Sequence, residues 1–189
     1  MRRADPIPAG IADAQSPAAA EHASELTAQS YLIGPATPDD APAMLDLQRR
    51  AFAEEGRRSR TQDIPPLTEQ LAAVSGHIRT QTALVARDRG AIIGTIRGIV
   101  ENRVCTVRAL VVDPACQGRG VGSALLDALE RKLTDVTRFD LTTNTLMEGN
   151  VPFYERRGYE VVELTRHSAR ITLAQMSKIV HASAQEPRN

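Results

Sequence analysis

The chain has 189 residues, 42% of them hydrophobic and 24% charged, and its 23 basic side chains balance 23 acidic ones. That length suits one domain with some excess, and the neutral balance gives no electrostatic drive toward nucleic acid or an acidic membrane surface. No apolar run approaches the ~20 residues that span a bilayer, Cys105 and Cys116 form neither a disulfide framework nor a CxxC pair, and the histidines lack metal-ligand spacing.

Residues 1–30 are rich in alanine and small polar side chains, with Pro6, Pro8 and Pro17. So little apolar surface cannot offset the entropy of ordering, so a flexible tail is expected. Arg2 and Arg3 lead into Asp5 rather than an apolar core, which does not read as a signal peptide, and a cytoplasmic location is the expectation. One domain is expected over 31–181, with 182–189 frayed. It opens on a strand at Tyr31–Ile33. Thr37-Pro38-Asp39-Asp40 reads as a helix start, and Ala41, Met44, Leu45, Ala51 and Phe52 share one helical face. A polar stretch from Glu54 to Asp63 follows, holding Arg57, Arg58 and Arg60. Pro65 and Pro66 precede a second helix carrying Leu67, Leu71, Val74 and Ile78.

The period then shortens. Strands are expected over 82–87, 91–100 and 104–112, joined by turns at Asp88-Arg89-Gly90 and Glu101-Asn102-Arg103, an antiparallel meander. A glycine-rich loop leads into an amphipathic helix with Val121, Leu125, Leu126, Leu129 and Leu133 on one side. A strand over 139–143, a short helix over 150–157 stopped at Gly158, and two strands over 159–165 and 171–179 complete the order β-α-α-β-β-β-α-β-α-β-β. A strand–helix–strand crossover after a meander makes an α/β fold with a mixed sheet, of α+β character.

The loop Gln117-Gly118-Arg119-Gly120-Val121-Gly122-Ser123 joins a strand to a helix N-terminus. Glycines allow close approach of a ligand, and the first N–H groups of the helix point at it with the positive end of the dipole. A P-loop would need a Lys-Ser/Thr pair that is missing, and G-x-G-x-G fails the dinucleotide spacing. On the loop alone, an anion cradle and a tight turn both stay open.

Gln117-Gly118-Arg119-Gly120-Val121-Gly122 after Val-Asp-Pro resembles the acyl-CoA pyrophosphate loop of the GNAT N-acyltransferase superfamily. Asn150-Val151-Pro152-Phe153-Tyr154-Glu155-Arg156-Arg157-Gly158-Tyr159 is similar to that family's second signature, and Pro38-Asp39-Asp40 to its opening. The likeness runs from about Ser30 to Val180. It implies a GNAT-like fold and acetyl-CoA (coenzyme A) as cosubstrate, with no metal. The pyrophosphate would lie over the N–H groups of Gly118, Arg119, Gly120, Val121, Gly122 and Ser123, with Gln117 leading the loop. The backbone of Leu110, Val111 and Val112 would pair with pantetheine and polarise the thioester carbonyl. Many relatives carry an asparagine seven residues before the tyrosine. Met147 stands there instead, and Asn150 would supply the missing amide contact.

The implied reaction is acetyl transfer to a primary amine in a ternary complex, with Tyr154 as the acid for the departing thiolate. The base is not evident, because the strand from Val104 to Leu110 has no carboxylate. Asp113 reads as a turn residue. Glu54 and Glu55 read as a helix-end charge pair in a connection that borders the acceptor pocket of the family. A water relay through Thr143 or Asn144 is the other candidate. Cys116 reads as a loop filler, and Arg57, Arg58 and Arg60 as a solvated run. The acceptor is a small-molecule or peptide amine: a polyamine, an antibiotic, an amino acid and a protein N-terminus all remain open. Neither nucleic acid nor membrane is expected as a partner, and a homodimer stays open. The rival readings are a non-catalytic acyl-CoA-binding regulatory module and a plain α/β interaction domain.

Overall fold

Thr37 and Asp40 fix where the first helix begins. The Asp40 carboxylate accepts from the Thr37 backbone N–H (2.7 Å) and hydroxyl (3.1 Å), closing a capping box around a single 3₁₀ turn, Pro38–Asp40. The structure, a computed structural model, describes residues 31–180. The tail expected over 1–30 and the fraying expected over 182–189 lie outside the described residues. In order come β1 (Leu32–Pro35), α1 (Ala41–Ser59), a one-turn α2 (Pro65–Thr68), α3 (Leu71–Thr80), β2 (Thr82–Asp88), β3 (Ala91–Glu101) and β4 (Val104–Val112). After the glycine loop follow α4 (Val121–Lys132), β5 (Arg138–Asn144), α5 (Asn150–Glu155), β6 (Glu160–Arg166) and β7 (Thr172–Ile179). The expected order holds, with two differences. Helix α1 runs on to Ser59 through residues read as a polar connection, and the second helix is broken in two at Glu69 and Gln70.

The break has a cause in β3. Glu69 has extended ψ (139°), and its carboxylate accepts from both Nη atoms of Arg97 (2.9 and 2.8 Å). Gln48 of α1 donates to the same carboxylate (2.7 Å) and to the Pro66 carbonyl (2.9 Å), and its own carbonyl accepts from Arg97 (3.1 Å). His77 Nδ1 lies 2.7 Å from Arg97 Nη1 and 2.9 Å from Glu69 Oε1. The Arg97 side chain is only 6% exposed and that of Glu69 13%, so a charge is buried with its partners supplied, the condition under which burial is tolerated. This cluster ties α1, the α2–α3 joint and α3 to the sheet.

The seven strands lie in the order β1-β2-β3-β4-β5-β7-β6, antiparallel except for β4 beside β5. On one face Val121, Leu125, Leu126 and Leu129 of α4 are buried against Leu84, Ala86, Ile96, Cys105, Val107, Phe139 and Met176. Each such leucine contributes about 1.5–3 kcal/mol by leaving water. Gly94 and Gly98 of β3 make that approach possible: a Cβ on Gly94 would meet Leu125 and Val121 at 2.9 Å, and one on Gly98 would meet Cys105 Sγ at 2.8 Å. On the other face Ala41, Met44 and Leu45 of α1 and Val74 and Ile78 of α3 cover Ala83 and Val85.

Two irregularities in β4 position the site. Its parallel pairing with β5 covers only Val104↔Arg138, Cys105↔Phe139 and Thr106↔Asp140, after which the strands part. Its pairing with β3 steps from Arg97↔Arg108 to Thr95↔Val111, so Ala109 and Leu110 together oppose Ile96. This is a β-bulge, and Ala109 takes the left-handed φ of 47°. That conformation is disfavoured for a residue with a Cβ, by roughly 1–2 kcal/mol.

Candidate active site

The glycine loop is built as a turn into α4. Asp113 accepts from the Ala115 N–H (3.0 Å) and from Arg50 (2.9 Å), which together hold its carboxyl below the usual range, so it serves as the turn residue the sequence indicates. Gly118 and Gly120 take φ of 77° and 76°, values that glycine adopts freely. The first intrahelical bond of α4 runs from Ala124 N–H to the Gly120 carbonyl (3.0 Å). The N–H groups of Val121, Gly122 and Ser123 thus have no acceptor within the helix and face outward at its positive end.

These groups open on a cleft of about 490 Å³. Leu110, Val112, Gln117, Gly118, Gly120, Val121, Gly122, Ser123, Asn150 and Tyr154 all line it, so most of the residues expected to bind the cosubstrate come together. Val111 does not line it, and its side chain is buried (4% exposed). Arg119 does not line it either: its guanidinium pairs with Asp88 (2.9 Å) and donates to Cys116 Sγ (3.5 Å), so its side chain is engaged elsewhere. The positive charge at this cleft comes instead from Arg156 and Arg157, at the end of α5. Arg157 donates to Ser123 Oγ and to the Phe153 carbonyl (2.8 Å), and its guanidinium lies 4.0 Å from the Phe153 ring centroid. The sequence signal for it is the Arg-Arg pair closing the Phe-Tyr-Glu helix, which α5 turns back toward the loop. Cys116 lines the cleft wall.

Where β4 and β5 part, a second cleft of about 440 Å³ opens on the α1 side. Phe52 and Glu55 of α1, Asp63 to Pro66, Thr106 to Leu110 of β4, Leu141 to Asn144 of β5, and His167, Ile171 and Leu173 of the β6–β7 hairpin line it. Leu110, Asn150 and Tyr154 line both clefts, so the two meet at these residues.

Tyr154 is half-buried, packed edge-on to Phe153 (centroids 5.0 Å apart) and Tyr159 (5.8 Å). Burial pushes its phenol up to about 12, against a smaller opposing pull from Arg157, so it is a proton-bearing donor at neutral pH. Asn150 Nδ2 donates to Thr143 Oγ1 (2.9 Å), which ties α5 to β5.

Glu54 and Glu55 separate in role. Glu54 faces solvent and makes the helix-end pair with Arg57 (2.6 Å). Glu55 points into the second cleft. Burial raises its carboxyl, against the hydrogen bond it accepts from Asn144 Nδ2 (3.1 Å). Asn144 is itself buried; Nδ2 also donates to Ser59 Oγ (3.2 Å), and Oδ1 accepts from the Leu146 N–H (3.0 Å). The inward stripe of α1 carries the signal for Glu55: Gln48, Phe52, Glu55 and Ser59 keep helical spacing, and the last two continue it beyond the final apolar residue, Phe52. Of the arginine run, Arg57 and Arg58 pair with Glu54 and Glu148, and Arg60 forms the left-handed C-cap of α1.

The arrangement holds a helix N-terminus with N–H groups that have no acceptor within the helix, an unpaired strand edge, a protonated phenol and a half-buried carboxylate along one continuous path. The family model described as Acetyltransferase (GNAT) domain matches residues 51–180. Among similar solved structures is the ribosomal-protein-S18-alanine N-acetyltransferase of Escherichia coli, 19% identical, covering 82% of this chain and 98% of that one, at a TM-score of 0.67. The PaiA N-acetyltransferase of Thermoplasma acidophilum, solved with coenzyme A, is 16% identical over 79% of this chain and 99% of that one, at 0.64. An aminoglycoside 6'-N-acetyltransferase complexed with coenzyme A is 19% identical over 78% and 96%, at 0.63. At these identities the structures establish a shared fold.

Proposed function

Because the chain belongs to the GNAT acetyltransferase family, we propose that it moves an acetyl group from acetyl-CoA directly to a primary amine, both substrates being held at once. The observation that carries this is the meeting of the two clefts at Leu110, Asn150 and Tyr154. A cosubstrate in the first cleft and an amine in the second would touch there and nowhere else along the described residues.

The first cleft fits coenzyme A in its own chemistry. Val121, Gly122 and Ser123 offer backbone N–H groups to the pyrophosphate, and Arg156 and Arg157 add charge. The unpaired edge of β4 around Leu110 and Val112 can hydrogen-bond the amides of pantetheine, and Asn150 keeps Oδ1 as an acceptor for one of them. Acetyl-CoA supplies an acetyl group activated as a thioester.

Glu55 takes a proton from the acceptor ammonium. At ordinary values that transfer is uphill by about 6 pH units, roughly 8 kcal/mol. Burial raises Glu55 and disfavours the ammonium, so both shifts narrow the gap. The freed nitrogen attacks the carbonyl carbon, and β4's N–H edge at Leu110 stabilises the charge that collects on oxygen. As the carbon–sulfur bond breaks, Tyr154 donates to the departing sulfur. A phenol at about 12 facing a thiol of about 8.5 makes complete transfer uphill by roughly 5 kcal/mol, and the same burial raises the thiol. Tyr154 therefore acts first as a hydrogen-bond donor and gives up its proton as the sulfur leaves; the second proton of the attacking nitrogen returns to its phenolate as the amide forms, and Glu55 releases its proton to solvent.

The test is thiol release from acetyl-CoA over a panel of amines. Tyr154→Phe should lower kcat by about 10²-fold while the affinity for coenzyme A is kept. An unchanged kcat at every pH would remove Tyr154 from the chemistry. Tight coenzyme A binding with no turnover across the panel would favour a regulatory binding module.

A further inference from the structure

Arg97 and Arg108 stand directly opposite each other on β3 and β4. Directly paired residues share a face of the sheet, so both point to the side covered by α1. Like charges in that position destabilise a sheet unless each is compensated. Arg97 is compensated: Glu69 and Gln48 saturate it. Both Glu69 oxygens are thereby taken. Arg108 is exposed and makes no hydrogen bond or ion pair among the described residues. The Glu69 carboxylate thus serves Arg97 alone, and the excess positive charge of Arg108 belongs to the second cleft.

Arg108 is the one lysine or arginine that lines this cleft, two residues before Leu110 at the junction. Glu55 and Asp63 line it from α1 and the segment after it. The cleft therefore has a basic wall on β4 and an acidic one opposite the sheet. A polycationic acceptor would set a second ammonium against Arg108. A zwitterion would satisfy both walls.

Resting on the transferase reading above, we propose that the acceptor is an amine that also carries a carboxylate, an amino-acid-type molecule, with Arg108 as the residue that selects it. Its carboxylate takes the fork of the Arg108 guanidinium, and its amine is presented to Glu55. Charge-assisted bonds of this kind are the stronger class, and guanidinium matches carboxylate geometry in a way a point charge does not.

The test is thiol release with free amino acids, each paired with its own carboxamide, and with diamines of similar length. Wild-type protein should give kcat/KM at least tenfold higher for the carboxylate member of the best pair, expressed mainly in KM. In Arg108→Gln that ratio should fall to within about threefold of unity, and Arg108→Lys should retain an intermediate preference. The melting temperature of Arg108→Gln should not fall, because the substitution relieves an opposed like charge. Turnover of amines without preference for the carboxylate overturns the inference and leaves the transferase reading intact. So does a preference that survives Arg108→Gln, or a marked loss of melting temperature in that variant. Absence of turnover with every amine, in protein that binds coenzyme A, overturns both together.

Discussion

Replacing Glu69 by glutamine removes a charge while keeping the shape of the side chain. Burial alone would push the Glu69 carboxyl up. Hydrogen bonds from Arg97 and Gln48 and the charges of Arg97 and His77 outweigh it and bring the group from its ordinary 4.5 down to about 2. That depression corresponds to about 3 kcal/mol of folding stability. With the side chain 13% exposed, solvent screening takes little from that. Removing one partner of a buried pair costs about 3–5 kcal/mol on independent grounds, so Glu69→Gln should lose about 3 kcal/mol at pH 7. The sign with pH is fixed by the depressed value: the contribution is complete above 4.5 and disappears as pH falls through about 2. The gap between wild type and variant should therefore narrow to about half or less of its neutral value at pH 3. Urea unfolding followed by circular dichroism at the two pH values measures it. A deficit under about 1 kcal/mol at pH 7, or one that stays constant with pH, would refute the reasoning. Because Gln48 also holds the Pro66 carbonyl, the same variant should loosen the Ile64–Pro66 wall of the second cleft and raise KM for the amine more than it changes kcat.

Three further outcomes follow from the geometry. Thr95 Oγ1 is buried and finds no partner among the described residues, so Thr95→Val, nearly the same shape, should stabilise the fold by about 1 kcal/mol, read as a rise of a few degrees in Tm. Gly94→Ala would force a Cβ to within 2.9 Å of Leu125 and Val121 and should cost about 1–3 kcal/mol in denaturant unfolding, with α4 and the loop before it displaced. Raised Glu55 sets the acidic limb of kcat/KM above the ordinary 4.5: activity should climb with pH through that limb, and Glu55→Gln should lose both the limb and most of the rate.

Much of the fold was legible because its elements are locally consistent. The apolar spacing in α4, the isoleucine-rich β3 and the glycine turns each favour one structure, and boundaries fall within a few residues of those expected. The broken second helix was not legible. Leu67, Leu71, Val74 and Ile78 keep helical spacing across it, and what breaks it is Glu69 reaching a charge 28 residues away on β3. The site divides the same way. The loop presents backbone N–H groups, so glycine spacing and the strand-to-helix junction carry its signal. Side chains that act across the sheet depend on rotamer and neighbours, which the sequence does not encode locally. Arg119 turns to Asp88, Arg157 takes the place at the loop, and adjacent Glu54 and Glu55 go to opposite environments.

The extra residue in β4 also settles a matter of parity. Before it, odd-numbered side chains, Cys105 and Val107, pack beneath α4. After it the even ones, Leu110 and Val112, take that side, while Val111 pairs across to Thr95 on the other. An unbroken strand would send Arg108 and Leu110 to the same face. With the step at Ala109, one short run of chain sets Arg108 toward the second cleft and Val112 toward the first. Deleting Ala109 would make Arg108 and Leu110 successive residues, so they would stay on opposite faces and Val111 would still meet Thr95; what the deletion would remove is the left-handed step and the bend it puts into β4 beside both clefts.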